Sequence, residues 1–277
     1  LPKGAVSILP MNRLTCNKLV THERISLLSF TGSPEVGWKM KRDAGKKKVV
    51  LELGGNVGVI ISHGADLDAA VAKCVVGGFS YSGQVCIHTQ RIFVLHELFE
   101  EFAGRFVEKV QQLKPGNPLD PQTDMAVMID LENAERVENW VKDAVAAGAK
   151  ILAGGQKDGS FMQPTVLTGT REEMRVCSDE VFGPVVVIEP VATFAEAIKQ
   201  INSGRFGLQA GVFTNSIDEM NQAFDQLHVG GVIINDVPTF RVDHMPYGGI
   251  KDSGLGREGV KYAIMEMMEP RLLVKDC

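Results

Sequence analysis

Strand-length apolar runs alternate with helix-patterned segments along nearly the whole chain, and turn residues separate them. That alternation limits the fold more than any other feature. Strands joined through helices lie parallel in a sheet, and the helices pack over its faces. Strands are expected at 5–9, 27–30, 48–53, 57–61, 90–95, 150–153, 185–189, 211–214, 231–235 and 271–275. Helices are expected at 35–44, from Asp66 onward, and at 97–112, 133–147, 194–202 and 217–226. Pro34 suits a first helical turn, where its missing N–H has no partner to lose. Asp66 can cap the helix that follows it. Leu98, Phe102, Phe106 and Val110 share one side of the 97–112 helix, and Gly148 is a typical helix stop. A loop rich in Pro and Gly is expected at 114–121.

The fold class is therefore α/β. Sheets of this kind hold ligands at the C-terminal edges of their strands. The unusual residues cluster at three such places: after Phe30, after Leu51 and around Cys86.

A net charge of −5 gives nucleic acid no electrostatic hold. Short basic runs such as Lys46-Lys47-Lys48 read as solvated turns. No apolar run approaches the ~20 residues of a membrane span, and Leu1-Pro2-Lys3-Gly4 does not open a signal peptide. The first residue is not Met, and the chain reads as the interior of a longer protein. The five cysteines (Cys16, Cys74, Cys86, Cys177 and Cys277) are scattered and odd in number. They suggest neither a disulfide framework nor a metal site, and they fit a reducing, cytoplasmic compartment.

Five segments offer chemistry. In Ser82-Gly83-Gln84-Val85-Cys86, small residues allow a tight turn in which a thiol can be exposed. Nearby backbone N–H groups there could lower its pKa and hold an oxyanion. A buried structural cysteine explains the same residues. In Leu51-Glu52-Leu53-Gly54-Gly55, a carboxylate at a strand end is either solvent-facing or buried. If buried, it carries the raised pKa of a general base. Phe30-Thr31-Gly32-Ser33-Pro34 is a plain turn or an anion site at a helix N-terminus; it is not G-x-G-x-x-G. Glu180 in Asp179-Glu180-Val181-Phe182-Gly183-Pro184 could accept bonds from ribose hydroxyls, with Phe182 against a flat ring, or the segment could be a capped turn. The Gly-rich stretch from Pro246-Tyr247-Gly248-Gly249 to Gly256-Arg257-Glu258 says little alone.

Order and spacing remove much of that ambiguity. ELGG, then G-Q-x-C, then E-x-F-G-P, then P-Y-G-G-x-K-x-S-G-x-G-R-E resembles the NAD(P)-dependent aldehyde dehydrogenase superfamily. Glu52 and Cys86 stand 34 residues apart, as that family's base and nucleophile do. The FTGS segment precedes ELGG, as in the family, and the resemblance covers about residues 1–275.

The resemblance implies an aldehyde-dehydrogenase-like fold. Residues 1–52 would be the C-terminal remainder of a partial Rossmann-like cofactor-binding domain. Residues 53–255 would form a parallel-sheet catalytic domain with helices on both faces, and 256–277 a return segment with an oligomerisation strand. It implies Cys86 as nucleophile, its backbone N–H as one oxyanion donor, and Glu52 as activator of the deacylating water. Gly32, Ser33, Glu180 and Phe182 would bind NAD or NADP, with no metal. The expected partners are a small aldehyde and further copies of the chain, as a dimer or tetramer, with neither nucleic acid nor membrane. The family's other oxyanion donor lies upstream of FTGS, so this chain is expected to be a fragment with weak or no activity alone. The carboxylate in ELGG favours hydrolysis over CoA acylation. A catalytically dead module is the third reading. His88, two residues past Cys86, has no catalytic role in the family scheme; lining the substrate tunnel is the alternative. Cys177, Trp38 and Trp140 read as structural.

Overall fold

The computed structural model describes residues 1–276. Its elements run α1 (Arg13–Thr21), β1 (Leu27–Thr31), α2 (Pro34–Asp43), β2 (Lys48–Glu52), β3 (Val57–Ile61), α3 (Leu67–Phe79), β4 (Thr89–Leu95), α4 (His96–Gln111) and α5 (Leu131–Ala146). They continue with β5 (Lys150–Ala153), β6 (Lys157–Asp158), β7 (Phe161–Met162), β8 (Thr165–Thr168), α6 (Arg175–Ser178), β9 (Val185–Val191) and α7 (Phe194–Ser203). Last come β10 (Phe206–Gly207), β11 (Gln209–Phe213), α8 (Ile217–Gln226), β12 (Gly231–Ile234), β13 (Ile250–Lys251), β14 (Gly254–Leu255) and α9 (Val260–Glu266).

Side-chain caps start several helices where the sequence supplies them. Asp66 accepts from Ala69 N at 3.0 Å, Asp130 from Asn133 N at 2.8 Å and Thr193 from Glu196 N at 3.1 Å. Each such cap is worth ~1 kcal/mol.

The main sheet has seven strands in the order β12-β11-β3-β4-β9-β8-β5. Its neighbours run parallel except at one edge, where β5 pairs antiparallel with β8. Every residue of β3 and β4 is buried, as central strands covered on both faces require. Alternate residues feed opposite layers. Val59 and Ile61 join Phe79, Phe102 and Phe106 under α3 and α4. Ile60 points the other way, to Ile198 and Ile201 of α7 and Ala223 of α8. Each fully buried side chain of this size contributes ~1.5–3 kcal/mol.

A smaller sheet, β1-β2-β14, stands apart from it. β1 and β2 are parallel, while β14 returns antiparallel and sets Gly254 opposite Glu52. Helix α2 covers this sheet through Met40, packed with Val20 of α1, Ala44 and Val49.

Two expected strands do not form. Residues 5–9 and 271–275 lack strand conformation, and Ile8, Leu272 and Leu273 are exposed. A strand needs a hydrogen-bonded neighbour, and among the described residues none pairs with either segment. Helices α1, α6 and α9 and strands β6, β7, β8, β10, β13 and β14 were not expected from the pattern. No described helix is long and apolar enough to cross a membrane.

Candidate active site

The thiol-bearing turn is built against the intrinsic preference of its backbone. After α3 the chain passes through Ser80–Gly83, with Tyr81 (φ 52°), Ser82 (φ 56°) and Gly83 (φ 68°) all in the left-handed region. For non-glycine residues that costs about 1–3 kcal/mol each unless the surroundings enforce it. Here they do. Ser82 Oγ donates to the Ala126 carbonyl at 2.7 Å, and the Gln84 side chain accepts from Ile129 N at 3.1 Å. A Cβ on Gly83 would fall on the Gly183 carbonyl, so only glycine lets these two turns touch.

Cys86 emerges from this turn half-buried, with its sulfur 3.1 Å from the Tyr247 hydroxyl. Burial raises the thiol pKa, opposed by the Tyr247 hydrogen bond; Glu180 and Glu52 push it up further, and a backbone N–H contact pulls it down. The sequence allowed for a thiol lowered by nearby N–H groups. In the structure desolvation and two carboxylates outweigh them.

Glu52 ends β2 and is 5% exposed. Burial, followed by the Glu258 charge, lifts its carboxyl to about 8, against the pull of Arg257 and Arg241. Its Oε1 is buried without a hydrogen-bond partner. An unpaired buried acceptor is costly, so this oxygen is suited to a molecule that arrives later.

The Glu52–Gly55 backbone gathers the remaining candidates. A Cβ on Gly55 would fall on the Cys86 carbonyl, and one on Gly54 would fall on the Glu180 carboxylate. The Gly55 N–H donates to Glu180 Oε1 at 2.9 Å. Glu180 is half-buried, and desolvation raises its carboxyl to about 7, opposed by that bond and by Arg136. The Gly32 N–H donates to the Glu52 carbonyl at 3.1 Å. Ser33 follows it, exposed, as the N-cap of α2, and its side chain makes no capping bond. Arg205 ties that helix end to the Glu180 segment, 2.9 Å from Asp179 and 4.0 Å from Glu35. Phe182 is partly exposed, on a left-handed backbone (φ 46°).

These groups fit a nicotinamide dinucleotide. Glu180 has acceptor capacity beyond its one backbone bond, which ribose hydroxyls can use. Phe182 offers an apolar face, and the α2 N-terminus beside Gly32 and Ser33 suits phosphate.

His88 lies elsewhere. Its Nε2 is 2.9 Å from the Gly78 carbonyl of α3, and burial lowers its pKa to about 4, so the ring is neutral at neutral pH. Cys177 is buried and bonds Thr170 Oγ1 at 3.1 Å. Cys277 lies outside the described residues. Sequence reasoning passed over Tyr247 and Arg241. The Arg241 guanidinium sits 4.2 Å from the Tyr247 ring centre and pairs with Glu258 at 2.8 Å. The only available hint was Tyr247's place in the Gly-rich stretch that carries the last motif.

The model of the aldehyde dehydrogenase family matches residues 1–273. A 3-sulfolactaldehyde dehydrogenase of Priestia megaterium is 46% identical over 275 residues, which are 99% of this chain and 58% of that protein. The chain thus spans little more than half the length of such relatives. Among solved structures, aldehyde dehydrogenase 21 from Physcomitrella patens, in complex with the reaction product succinate, superposes with a TM-score of 0.95 at 47% identity. That match covers 97% of this chain and 56% of the other. Glyceraldehyde-3-phosphate dehydrogenase from Methanocaldococcus jannaschii, complexed with NADP, gives 0.88 at 42% identity, covering 91% and 55%.

Proposed function

The chain belongs to the aldehyde dehydrogenase family, and from that premise we propose that it serves the oxidation of an aldehyde to a carboxylic acid with NAD or NADP. One observation carries the reading. A half-buried thiol lies within electrostatic reach of a buried carboxylate that has an unpaired oxygen, and Gly55, three residues past that carboxylate, abuts the Cys86 backbone carbonyl.

In this reading the Cys86 thiolate bonds to the aldehyde carbon, and the carbonyl electron pair moves to oxygen. The Cys86 backbone N–H donates to that oxyanion. Bound through Gly32, Ser33, Glu180 and Phe182, the cofactor supplies the acceptor for the hydride that leaves the same carbon. Glu52 then takes a proton from water, and the oxygen of that water attacks the thioester. The carbon–sulfur bond breaks, and the acid leaves as the thiolate is restored. A carboxyl near 8 is ionised in roughly a tenth of molecules at pH 7, enough for a base matched to its task.

An aldehyde that carries an acid group is the favoured substrate. Arg241 supports this, because it places a guanidinium against Tyr247 and near Glu52. Relatives that act on 3-sulfolactaldehyde or hold succinate support it as well. Residues 1–52 are read as the remainder of a cofactor-binding domain, 53–255 as the catalytic domain and 256–277 as a return segment. Exposed Leu272, Leu273 and Val274 suit the edge of another copy in a dimer or tetramer. Nucleic acid and membrane are not among the partners we propose. A cytoplasmic setting suits a thiol nucleophile.

A panel of acidic and neutral aldehydes, offered with each cofactor, tests the reading on this chain and on any longer chain that contains it. Acid should form, and C86A should form none. Absence of both acid and a Cys86 thioester in every such chain would overturn it.

A further inference from the structure

Cys86 meets a hydroxyl that the proposed reaction has not used. Tyr247 is 3% exposed, and its oxygen lies 3.1 Å from the sulfur, within range for a hydrogen bond involving sulfur. Three features hold it in place. Its N–H donates to the Glu258 carbonyl at 3.1 Å, its carbonyl accepts from the Glu258 N–H at 2.6 Å, and Arg241 covers its ring at 4.2 Å. It also packs in a small apolar cluster with Val57, Leu208, Cys86 and Ile87. The hydroxyl is thus fixed from both ends and cannot easily turn away.

We propose that Tyr247 is a catalytic residue whose hydroxyl donates a hydrogen bond to the Cys86 thiolate, holding the sulfur anion ready and aimed before the aldehyde arrives. The inference deepens the reading of Cys86 as nucleophile and rests on it.

The electrostatics need such a donor. Burial disfavours the sulfur anion, and the Glu180 and Glu52 carboxylates, when ionised, disfavour it further. Tyr247 is the side chain that lowers the thiol pKa. Burial, together with the nearby Cys86 and Glu52 charges, raises the phenol's own pKa, while Arg241 opposes the rise. Tyr247 therefore keeps its proton throughout. The thiol proton departs to solvent, and the phenol proton stays on oxygen while it bridges to sulfur. The phenol acts as a donor and is not the base.

Alkylation by iodoacetamide reads the thiolate without aldehyde or cofactor: a carbon–sulfur bond forms and iodide leaves. The rate at Cys86 is followed across pH by peptide mass in the wild type and in Y247F, with the half-buried Cys16 as internal reference. A hydrogen bond to a charged group is worth about one pH unit or more. The half-maximal pH for Cys86 in Y247F should therefore rise by about one unit, with the rate near pH 7.5 about tenfold lower. A residue that only packs the site would leave the half-maximal pH unmoved, and that result would overturn the proposal.

Replacing the three tyrosines with 3-fluorotyrosine gives a stronger donor of nearly the same shape. The Cys86 profile should then shift to lower pH, and no shift would also overturn the proposal, even if Y247F does not fold. A shifted profile, with neither acid nor a Cys86 thioester formed by this chain or any longer chain that contains it, would refute the proposed function and leave the Tyr247–Cys86 hydrogen bond standing. Normal turnover with an unmoved profile would do the reverse.

Discussion

The backbone N–H of Gly55 donates to the Glu180 carboxylate at 2.9 Å, so the segment that carries the proposed base also fixes the group proposed to hold the cofactor ribose. That bond anchors the Glu180 side chain to the backbone three residues past Glu52. The predictions below follow from that arrangement and from the electrostatics around it.

Glu52→Gln should block deacylation and spare acylation. Turnover should fall by ~10²–10⁴-fold, while a single equivalent of reduced cofactor still forms quickly. Intact-protein mass would show the acyl group retained on Cys86. Equal loss of the burst and of the steady state would place Glu52 earlier in the reaction.

The same carboxyl ties stability to pH. Its pKa rises from 4.5 to about 8 on folding. Between those values the folded state keeps a proton that the unfolded chain has released, so this contribution to stability falls as pH rises. It is fully present below about 4.5 and lost above about 8. The thermal midpoint of the wild type should therefore decline across that window relative to Glu52→Gln. Parallel curves for the two proteins would show that the carboxyl is not raised.

Gly54→Ala should separate cofactor binding from thiol chemistry. The added Cβ would fall on the Glu180 carboxylate. Cofactor affinity, followed by fluorescence titration, should weaken by about tenfold, as loss of one charge-assisted hydrogen bond would do. Cys86 alkylation should stay within about twofold of wild type.

Arg241→Met should discriminate among aldehydes. An aldehyde with a carboxylate or sulfonate should lose about tenfold or more in kcat/KM, as expected when a charged hydrogen bond is removed. A neutral aldehyde of similar size should be far less affected. Equal losses for both would show that Arg241 serves Tyr247 and Glu258 and does not touch the substrate.

The main sheet was legible because its central strands carry continuous apolar runs between clear turn signals, as at Val57–Ile61 and at Ile92–Leu95 within β4. Burial of Glu52 was legible as one of two readings of a carboxylate flanked by leucines. Other features depend on contacts that no local pattern encodes. Residues 5–9 have the composition of a strand but no neighbour to pair with. Strand β14 comprises only Gly254 and Leu255, and it exists because Glu52 and Leu51 lie opposite. Tyr247 was passed over for the same reason: its partner, Cys86, is 161 residues away in the chain. The rise of the Cys86 pKa was not legible because its main cause, burial, and the two carboxylates that add to it arise only on folding.

The pairing of Gly254 with Glu52 also sets an order of events during synthesis. The strand that closes over Glu52 emerges from the ribosome about two hundred residues after it. Contacts so distant in sequence form late. While those residues are being added, the growing chain carries the Cys86 thiol without the Tyr247 and Gly254 segments that complete its surroundings.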